Sequence, residues 1–430
     1  CFYLIVSLLL FIYTFYRAEF IYNGKQFSYY YKYYLIFIFS IIFWFIVLFL
    51  KKTRKIQTII GATTLIFLLY SYESFLAISA HSITLKNKWQ MTEIRAKLDT
   101  IKEVKNRYDE NVVPSIFPRA LLNKKWLDSD IFPISGVSNT ITVHCKEGEE
   151  FSIYKSDRYG FNNPDEEWDN KKITWFLIGD SFTHGSCVQP GEDFASLIRM
   201  FTKKSAINVG MSGNGPLIEL ASLKEYGEKK KPEIVLWIYF ERNDLEDLKY
   251  EKLFSVLTDY INDFDQDLYS KQIEIDNKLK KYIQLAEKEI IPNKKIKKVN
   301  FDKYLLFKKI IRLQILRDKL ALDRGLKFAI DPLFEKIMIK AKNIINQWNG
   351  KLYFVYLPDK ERYSGNKLRE DDQYLNRFAV IKLINNLNIP IIDIHKEFFL
   401  KQKDPLNFYA DRIYGHYSAE GYSEISKIIL

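Results

Sequence analysis

The chain has 430 residues, of which 47% are hydrophobic and 16% aromatic, and its net charge is +11. This length leaves room for a membrane region and one large or two modest domains. Its lysines are spread along the chain and mixed with acids, apart from local clusters at 51–55 and 294–298. No stretch resembles a nucleic-acid-binding module, so we expect no nucleic-acid partner.

Three apolar segments, at 2–16, 34–50 and 58–80, begin the chain. The second is free of charge and, with its flanking tyrosines, long enough to span a membrane. A signal peptide accounts for the first segment at most. The sequence therefore predicts a transmembrane region over residues 1–80 with about three spanning helices.

The basic cluster at 51–55 lies between the second and third apolar segments. The positive-inside rule places it in the cytoplasm, so the third segment leads outward and residues after about 81 lie outside the cytoplasmic membrane. Arg17, Lys25 and Lys32, in the first loop, favour the opposite orientation.

Residues 81–170 are predicted to connect the membrane region to the rest of the chain. Apolar residues at helical spacing indicate an amphipathic helix over 85–108, which the segment 112–118 interrupts. Loose alternation over 140–154 predicts a β-hairpin.

Short apolar runs alternate with helical segments over 171–430, which predicts a parallel sheet covered on both faces. The predicted strands are 173–178, 206–210, 233–241, 351–357 and 389–394, and the clearest helices are 193–203, 217–229 and 419–430. A helical, charged insertion at 245–350 separates the third and fourth strands. A substrate cap, a solvated helical excrescence and an oligomer contact are all consistent with its composition.

Three polar loops follow the first three strands, and they carry Ser181, Gly213 and Asn243. Because parallel strands end at the same edge of a sheet, these residues are expected to converge. A serine nucleophile needs donors aimed at the oxyanion that forms on its substrate. We predict the Ser181 N–H, the Gly213 N–H and the Asn243 amide for that role. Taken one at a time, Gly213 is better explained as a turn glycine and Asn243 as a helix cap, and it is their joint position after successive strands that favours the functional interpretation.

Five histidines are available as a general base: His81, His144, His184, His395 and His416. His184 is only three residues from Ser181 and poorly placed to accept its proton. His416 precedes the final helix and is predicted as the base. For the orienting acid we rank Asp411 first, then Asp404, then no carboxylate at all. The cysteines, Cys1, Cys145 and Cys187, have no metal-site spacing. Cys145 and Cys187 could pair only if the fold brings them together, so the sequence alone indicates neither a zinc site nor a disulfide.

The blocks Gly179-Asp-Ser-Phe-Thr-His-Gly185, Asn208-Val-Gly-Met-Ser-Gly213, Asn243-Asp244 and the late His416 resemble the ordered motifs of the SGNH (GDSL) hydrolase superfamily. The resemblance implies a flavodoxin-like, three-layer αβα fold. It also implies esterase or acyl-transfer chemistry through Ser181 and His416, with Gly213 and Asn243 as oxyanion donors.

The sequence departs from the family pattern at two positions. Glu241 replaces the glycine that usually opens the third block, and Ile413 occupies the position of the usual acid, three residues before the histidine. The first departure affects the oxyanion loop, and the second leaves the identity of the acid open.

The resemblance and the topology together predict a multi-pass protein of the bacterial cytoplasmic membrane with an extracytoplasmic catalytic domain. We expect an esterase or O-acyltransferase acting on acyl esters, of a cell-envelope polysaccharide in particular, with no cofactor. The expected partners are that substrate, the bilayer and a membrane acyl-donor protein. The alternatives are a non-catalytic glycan-binding domain and a lipase-like enzyme acting on membrane lipids.

Overall fold

The structure is a computed structural model. It describes residues 2–21, 24, 27–82, 97–107, 111–122, 131–148, 150–290, 307, 310–319, 330–364, 374–413 and 415–430. The chain divides into two compact units: Cys1–Thr92 with Lys295–Ala329, and Glu93–Lys294 with Ile330–Leu430. The first half of the predicted helix at 85–108, the basic cluster at 294–298 and the start of a predicted helix at 301–322 lie outside the described residues.

The first unit contains three long apolar helices, α1 (Phe2–Phe15), α2 (Phe27–Val47) and α3 (Lys52–Ser82). The segments Phe2–Ile21, Tyr29–Val47 and Lys52–Ala77 are long and apolar enough to cross a membrane. The prediction of three apolar N-terminal helices is therefore confirmed.

Part of the predicted insertion belongs to this first unit, as the short helix Gln314–Lys319. The first turn of this helix donates two backbone N–H groups to the buried Glu73 carboxylate. The N–H of Ile315 lies 2.9 Å from one oxygen, and the N–H of Leu316 lies 2.8 Å from the other. A carboxylate at a helix N-terminus accepts N–H groups that have no partner within the helix. Its negative charge also interacts favourably with the helix dipole.

The second unit contains a small sheet of three short strands: β1 (Val112–Pro114), β2 (Ile141–Val143) and β3 (Ile153–Lys155). Strands β2 and β3 are antiparallel neighbours, which confirms the predicted hairpin. Strand β1 pairs with β2 in parallel. The turn between β2 and β3 contributes to the site described below.

The main sheet has five strands, all parallel: β4 (Trp175–Gly179), β5 (Ala206–Asn208), β6 (Ile234–Phe240), β7 (Lys351–Leu357) and β8 (Ile391–Asp393). Their order across the sheet is β5-β4-β6-β7-β8. If the five strands are renumbered 1 to 5 in chain order from β4, their order across the sheet is 2-1-3-4-5, which is the flavodoxin-like order. The predicted fold class is therefore confirmed.

Side chains from alternate positions of each strand enter different cores, because successive residues of a strand point to opposite faces. Phe176, Trp237 and Phe354 pack into one cluster, whereas Leu177 and Val355 pack into the other. The principal helices of the second unit are 97–107, Pro118–Leu121, Phe194–Thr202, Pro216–Ser222, Asp244–Glu251, Gln272–Ile290, Pro332–Asn346, Arg377–Asn386 and Ala419–Ile429. Shorter helical turns lie at Ser181–His184, Leu223–Gly227, Glu228–Lys230, Ser255–Thr258 and Ile394–Glu397.

Residues between 111 and 170 complete the first of these cores. Ile134 and Phe161 are fully buried there together with Phe176 and Trp237 from the main sheet. The region predicted as a connector thus packs with the α/β sheet and brings the β2–β3 turn to its carboxyl edge.

Candidate active site

Ser181 lies where β4 ends and a short helix, Ser181–His184, begins. Gly179 makes this turn possible, because a Cβ atom there would collide with Thr183 Oγ1 and lie 2.7 Å from the Ile238 carbonyl oxygen. Asp180 caps the short helix by accepting the N–H of Phe182 at 2.9 Å. The serine is thus held at the carboxyl edge of the sheet, where the sequence places it.

His416 meets Ser181 from the far end of the chain, with Nε2 2.9 Å from Ser181 Oγ. The loop that carries the histidine is closed by a hydrogen bond from Ala410 N–H to the His416 carbonyl oxygen, at 3.0 Å. The ring of Phe182 packs against the imidazole with 5.0 Å between centroids. The structure therefore brings together the predicted nucleophile and the predicted base.

The carboxylate that orients His416 belongs to Glu147, in the β2–β3 turn. Its Oε1 lies 2.8 Å from His416 Nδ1, and its Oε2 accepts the backbone N–H of His416 at 3.1 Å. A charged carboxylate accepts only, so Nδ1 carries the proton and Nε2 offers its lone pair to the serine hydroxyl.

The protonation state of Glu147 suits this role. Burial acts to raise its pKa, but hydrogen bonds from the His416 ring and from the His416 and Gly415 backbone outweigh burial. The pKa of Glu147 therefore lies below its ordinary value, and the group is a carboxylate at neutral pH.

The predicted acid, Asp411, is corrected by this arrangement. Asp411 lies exposed in a turn with φ 47° and makes no hydrogen bond to His416, whose Nδ1 faces Glu147. The second candidate, Asp404, forms an ion pair with Arg412 at 2.7 Å. Both candidates are close to His416 in sequence, whereas the acid that contacts its ring comes from the distant β2–β3 turn.

A disulfide joins the turn that carries Glu147 to the loop that carries Ser181. Cys145 and Cys187 are bonded, with 5.0 Å between their Cα atoms. Cys145 precedes Glu147 by two residues, and Cys187 follows the nucleophile block. Had this pairing been assumed from the sequence, it would have placed Glu147 near Ser181.

Of the three predicted oxyanion donors, Gly213 is the one with an available N–H. It has φ +80°, which favours glycine, and among the described residues its N–H donates to no acceptor. Both hydrogens of Asn243 Nδ2 are donated to carboxylates, at 3.1 Å from Asp180 Oδ2 and 2.9 Å from Asp247 Oδ2. Asn243 is thus at the site, but it must leave one carboxylate to reach an oxyanion.

Asp180 is a buried carboxyl group at the centre of these contacts. Burial raises its pKa, against hydrogen bonds from the Phe182 backbone and the Asn243 amide and the charge of His416. The Ser181 N–H also interacts with this carboxyl group. Two of the predicted oxyanion donors therefore face Asp180 in this structure.

A buried hydrogen-bonded chain of histidines and hydroxyls fixes the loop that carries Gly213. It runs through Ser115, His144, Ser186, Ser212, His184 and Tyr154. Successive polar atoms are 2.9, 2.9, 2.7, 3.2 and 2.9 Å apart. The Ser212 backbone N–H points at His184 Nδ1 from 3.3 Å, so Nδ1 is the acceptor and Nε2 donates to Tyr154.

Glu251 fixes the same loop from its other end. Its two oxygens accept the N–H groups of Gly215 at 2.7 Å and Leu217 at 2.9 Å. Burial raises the pKa of Glu251 to about 7, against these hydrogen bonds. Gly213 is thus held between two anchored residues, which is the preorganisation that an oxyanion donor needs.

Glu241, the residue that departs from the family pattern, is engaged away from the oxyanion loop. Its carboxylate binds the buried Arg362 guanidinium, at 3.0 Å from Nε and 2.6 Å from Nη2. It also accepts the Asp359 N–H at 2.6 Å. Glu241, directly after β6, therefore forms a buried ion pair with Arg362, in the segment that follows β7.

Replacing Asn243 with Ala is expected to lower kcat for an activated ester by about 10²–10³-fold, the usual cost of losing one oxyanion donor. For comparison, Asp247→Asn removes a charged acceptor that holds the Asn243 amide but leaves the amide itself in place, so kcat should fall less than in Asn243→Ala. Steady-state kinetics and thermal unfolding of both variants test this prediction. Equal losses in the two variants would assign Asn243 a structural role instead.

The stability of the fold is expected to fall as the pH drops from about 6.5 towards 3. Burial, aided by the charges of Lys97 and His416, lowers the pKa of His184 to about 3, whereas the unfolded chain protonates this group near 6.5. The unfolded state therefore binds more protons in this window, at a cost of about 1.4 kcal/mol per pH unit. Unfolding at several pH values should show a shallower slope for His184→Asn, and an unchanged slope would contradict the prediction.

The chain is similar to several solved structures. One is a putative lipolytic protein of the G-D-S-L family from Desulfitobacterium hafniense DCB-2, with 12% identity, 60% of this chain and 98% of that chain covered, and a TM-score of 0.30. A lipase/acylhydrolase from Enterococcus faecalis has 14% identity over 60% of this chain and 93% of that chain, with a TM-score of 0.32. A catalytic mutant of an acetylxylan esterase from Geobacillus stearothermophilus has 13% identity over 61% of this chain and 95% of that chain, with a TM-score of 0.32.

No protein-family model and no curated protein sequence matches the chain. Its strand order and the position of Ser181 after β4 are those implied by the resemblance to the SGNH hydrolases. The second unit therefore has a flavodoxin-like αβα fold, with a Ser–His–Glu arrangement at the carboxyl edge of its sheet.

Proposed function

We propose that the chain is a membrane-anchored serine esterase or O-acyltransferase that acts on acyl esters. The observation that carries this proposal is the continuous arrangement of Ser181, His416 and Glu147, with distances of 2.9 and 2.8 Å. Serine, a histidine within hydrogen-bond reach and an orienting carboxylate are the parts that nucleophilic acyl transfer requires.

In the proposed reaction Ser181 Oγ attacks the ester carbonyl carbon while His416 Nε2 takes its proton. The new imidazolium is stabilised by the Glu147 carboxylate, and Gly213 N–H donates to the oxyanion. The alcohol then leaves with the proton from Nε2, and an acyl group remains on Ser181. Water (for an esterase) or an acceptor hydroxyl (for a transferase) releases this acyl group by the same steps in reverse.

A missing acid and a glutamate at position 241 in the oxyanion loop would favour the non-catalytic alternative. Glu147 supplies a carboxylate to His416, and Glu241 is bound by Arg362. Both observations favour the catalytic function over a glycan-binding domain without turnover.

We propose that the catalytic unit lies outside the cytoplasm. The three apolar helices support a membrane anchor, and the Cys145–Cys187 disulfide is typical of an oxidising compartment. The proposed location is the bacterial cytoplasmic membrane, and the proposed substrate is an acylated cell-envelope polysaccharide. A membrane acyl-donor protein would supply the acyl group if the enzyme is a transferase.

Labelling of the full chain in detergent micelles with a fluorophosphonate tests the nucleophile. We expect stoichiometric labelling and a burst of product from p-nitrophenyl acetate, both lost in Ser181→Ala. Intact mass spectrometry should detect an acetyl group on the wild-type chain during turnover. Labelling that persists in Ser181→Ala would overturn the proposal.

The acyl substrate can be identified with the same preparation. Release of acetate from acetylated polysaccharide supports the envelope substrate, whereas a preference for long-chain esters supports the lipase-like alternative. Added polysaccharide that shortens the lifetime of the acetyl-enzyme and becomes acetylated would identify a transferase.

A further inference from the structure

We propose that reduction of the Cys145–Cys187 disulfide creates a zinc-binding site that switches the active site off. The candidate ligands are Cys187, His416 and Glu147. One ligand atom from each of the three residues lies within 4.8 Å of the other two. A single metal ion therefore needs only small side-chain movements to reach all three.

The chemistry of this set suits zinc. A thiolate, an imidazole nitrogen and a carboxylate oxygen are its common protein ligands, and three protein ligands leave a fourth position for water. The three ligands come from separate parts of the chain, which explains why their spacing in the sequence gives no metal signal. All three residues are half-buried, so an ion has access from solvent.

The disulfide controls whether the site exists. In the oxidised chain Cys187 Sγ is bonded to Cys145 Sγ and offers no thiolate. A dithiol or a phosphine supplies the two electrons that break this bond; a dithiol becomes a disulfide, and a phosphine takes an oxygen atom from water. Each cysteine sulfur gains a proton, and Cys187 returns its proton to solvent when it binds the metal.

Zinc binding is incompatible with the role of His416 in the proposed function, on which this step rests. A neutral imidazole has one nitrogen lone pair. If the metal takes Nδ1, the proton must be on Nε2, which then cannot accept the Ser181 proton. If the metal takes Nε2, it displaces the Ser181 hydroxyl. The enzyme loses its general base in either case.

Two serine variants provide a matched test, because both lack the disulfide but only one keeps the ligand. Cys145→Ser leaves Cys187 as a free thiol, whereas Cys187→Ser removes it. With Co²⁺ as a probe, we expect a thiolate-to-metal absorption band in Cys145→Ser and none in Cys187→Ser. Equilibrium dialysis with Zn²⁺ should give about one ion per chain in Cys145→Ser, consistent with a single three-ligand site. Equal binding by the two variants, or none by Cys145→Ser, would overturn the proposal.

The same preparations separate metal binding from activity. Zn²⁺ should inhibit ester hydrolysis by Cys145→Ser at least about tenfold, reversibly on chelation, and leave the oxidised wild type unaffected. If no preparation hydrolyses esters, the proposed function fails, but the cobalt band still decides the metal site. Zinc that binds without inhibiting would overturn the inhibitory role. If the variants do not fold, wild type treated with a phosphine and then desalted must gain the cobalt band, and failure to gain it sinks the proposal.

Discussion

Replacing either Ser181 or His416 with Ala is expected to lower kcat for p-nitrophenyl acetate by about 10⁴–10⁶-fold. The two side chains act as one unit, because the hydroxyl is a poor nucleophile until Nε2 accepts its proton across the 2.9 Å contact. The double variant should therefore be no slower than the slower single variant, since removing one partner already disables the other.

Steady-state kinetics of the full chain, with titrated active sites for the wild type, measure these losses. Ser270→Ala, at an exposed serine outside the site, is the matched control and should retain wild-type kcat. Losses that add in the double variant would mean that Ser181 and His416 contribute independently, which contradicts a shared proton transfer.

The convergence of Ser181, Gly213 and Asn243 could be predicted because it follows from local patterns. Each residue comes directly after a short apolar run, and parallel strands end at one edge whatever the details of their packing. The structure places all three loops there, after β4, β5 and β6. His416 was accessible to the same reasoning, as a histidine in the loop before a clearly amphipathic last helix.

Strand ends were harder to predict, as β5 shows. The apolar pattern predicts a strand to residue 210, but β5 ends at Asn208. The Asn208 side chain donates to the Thr183 carbonyl at 2.6 Å and accepts the Gly210 N–H at 2.8 Å. These bonds turn the chain out of the sheet. One of them is made to the nucleophile loop, and such a contact between distant segments cannot be predicted from the periodicity of apolar residues.

Glu147 could not be found from periodicity or from the family pattern. It precedes the nucleophile in sequence and reaches His416 only because residues such as Ile134 and Phe161 anchor their region in the core of the main sheet. The pairing of Cys145 with Cys187 is equally non-local. Contacts of this kind depend on the packing of distant segments, whereas the local patterns above do not.

The identity of the acid leads to a second large effect. Glu147→Gln is expected to lower kcat by about 10²–10⁴-fold with a smaller change in KM. The amide keeps the size of the side chain and can still accept the His416 backbone N–H, so the loop should stay folded. It loses the charge that stabilises the imidazolium, and its NH₂ group facing Nδ1 would favour the tautomer with the proton on Nε2, which cannot accept from Ser181.

Asp411→Asn and Asp404→Asn separate Glu147 from the two acids nearer in sequence. Neither side chain contacts His416 in the described part of the chain, and Asp404 is already paired with Arg412. Both variants should retain kcat within about twofold, as surface substitutions commonly do. A loss in Asp411→Asn that equals the loss in Glu147→Gln would mean that the histidine loop rearranges during turnover. A Glu147→Gln enzyme that keeps wild-type kcat would mean that Ser181 and His416 work as a dyad, with Glu147 serving only to hold the loop.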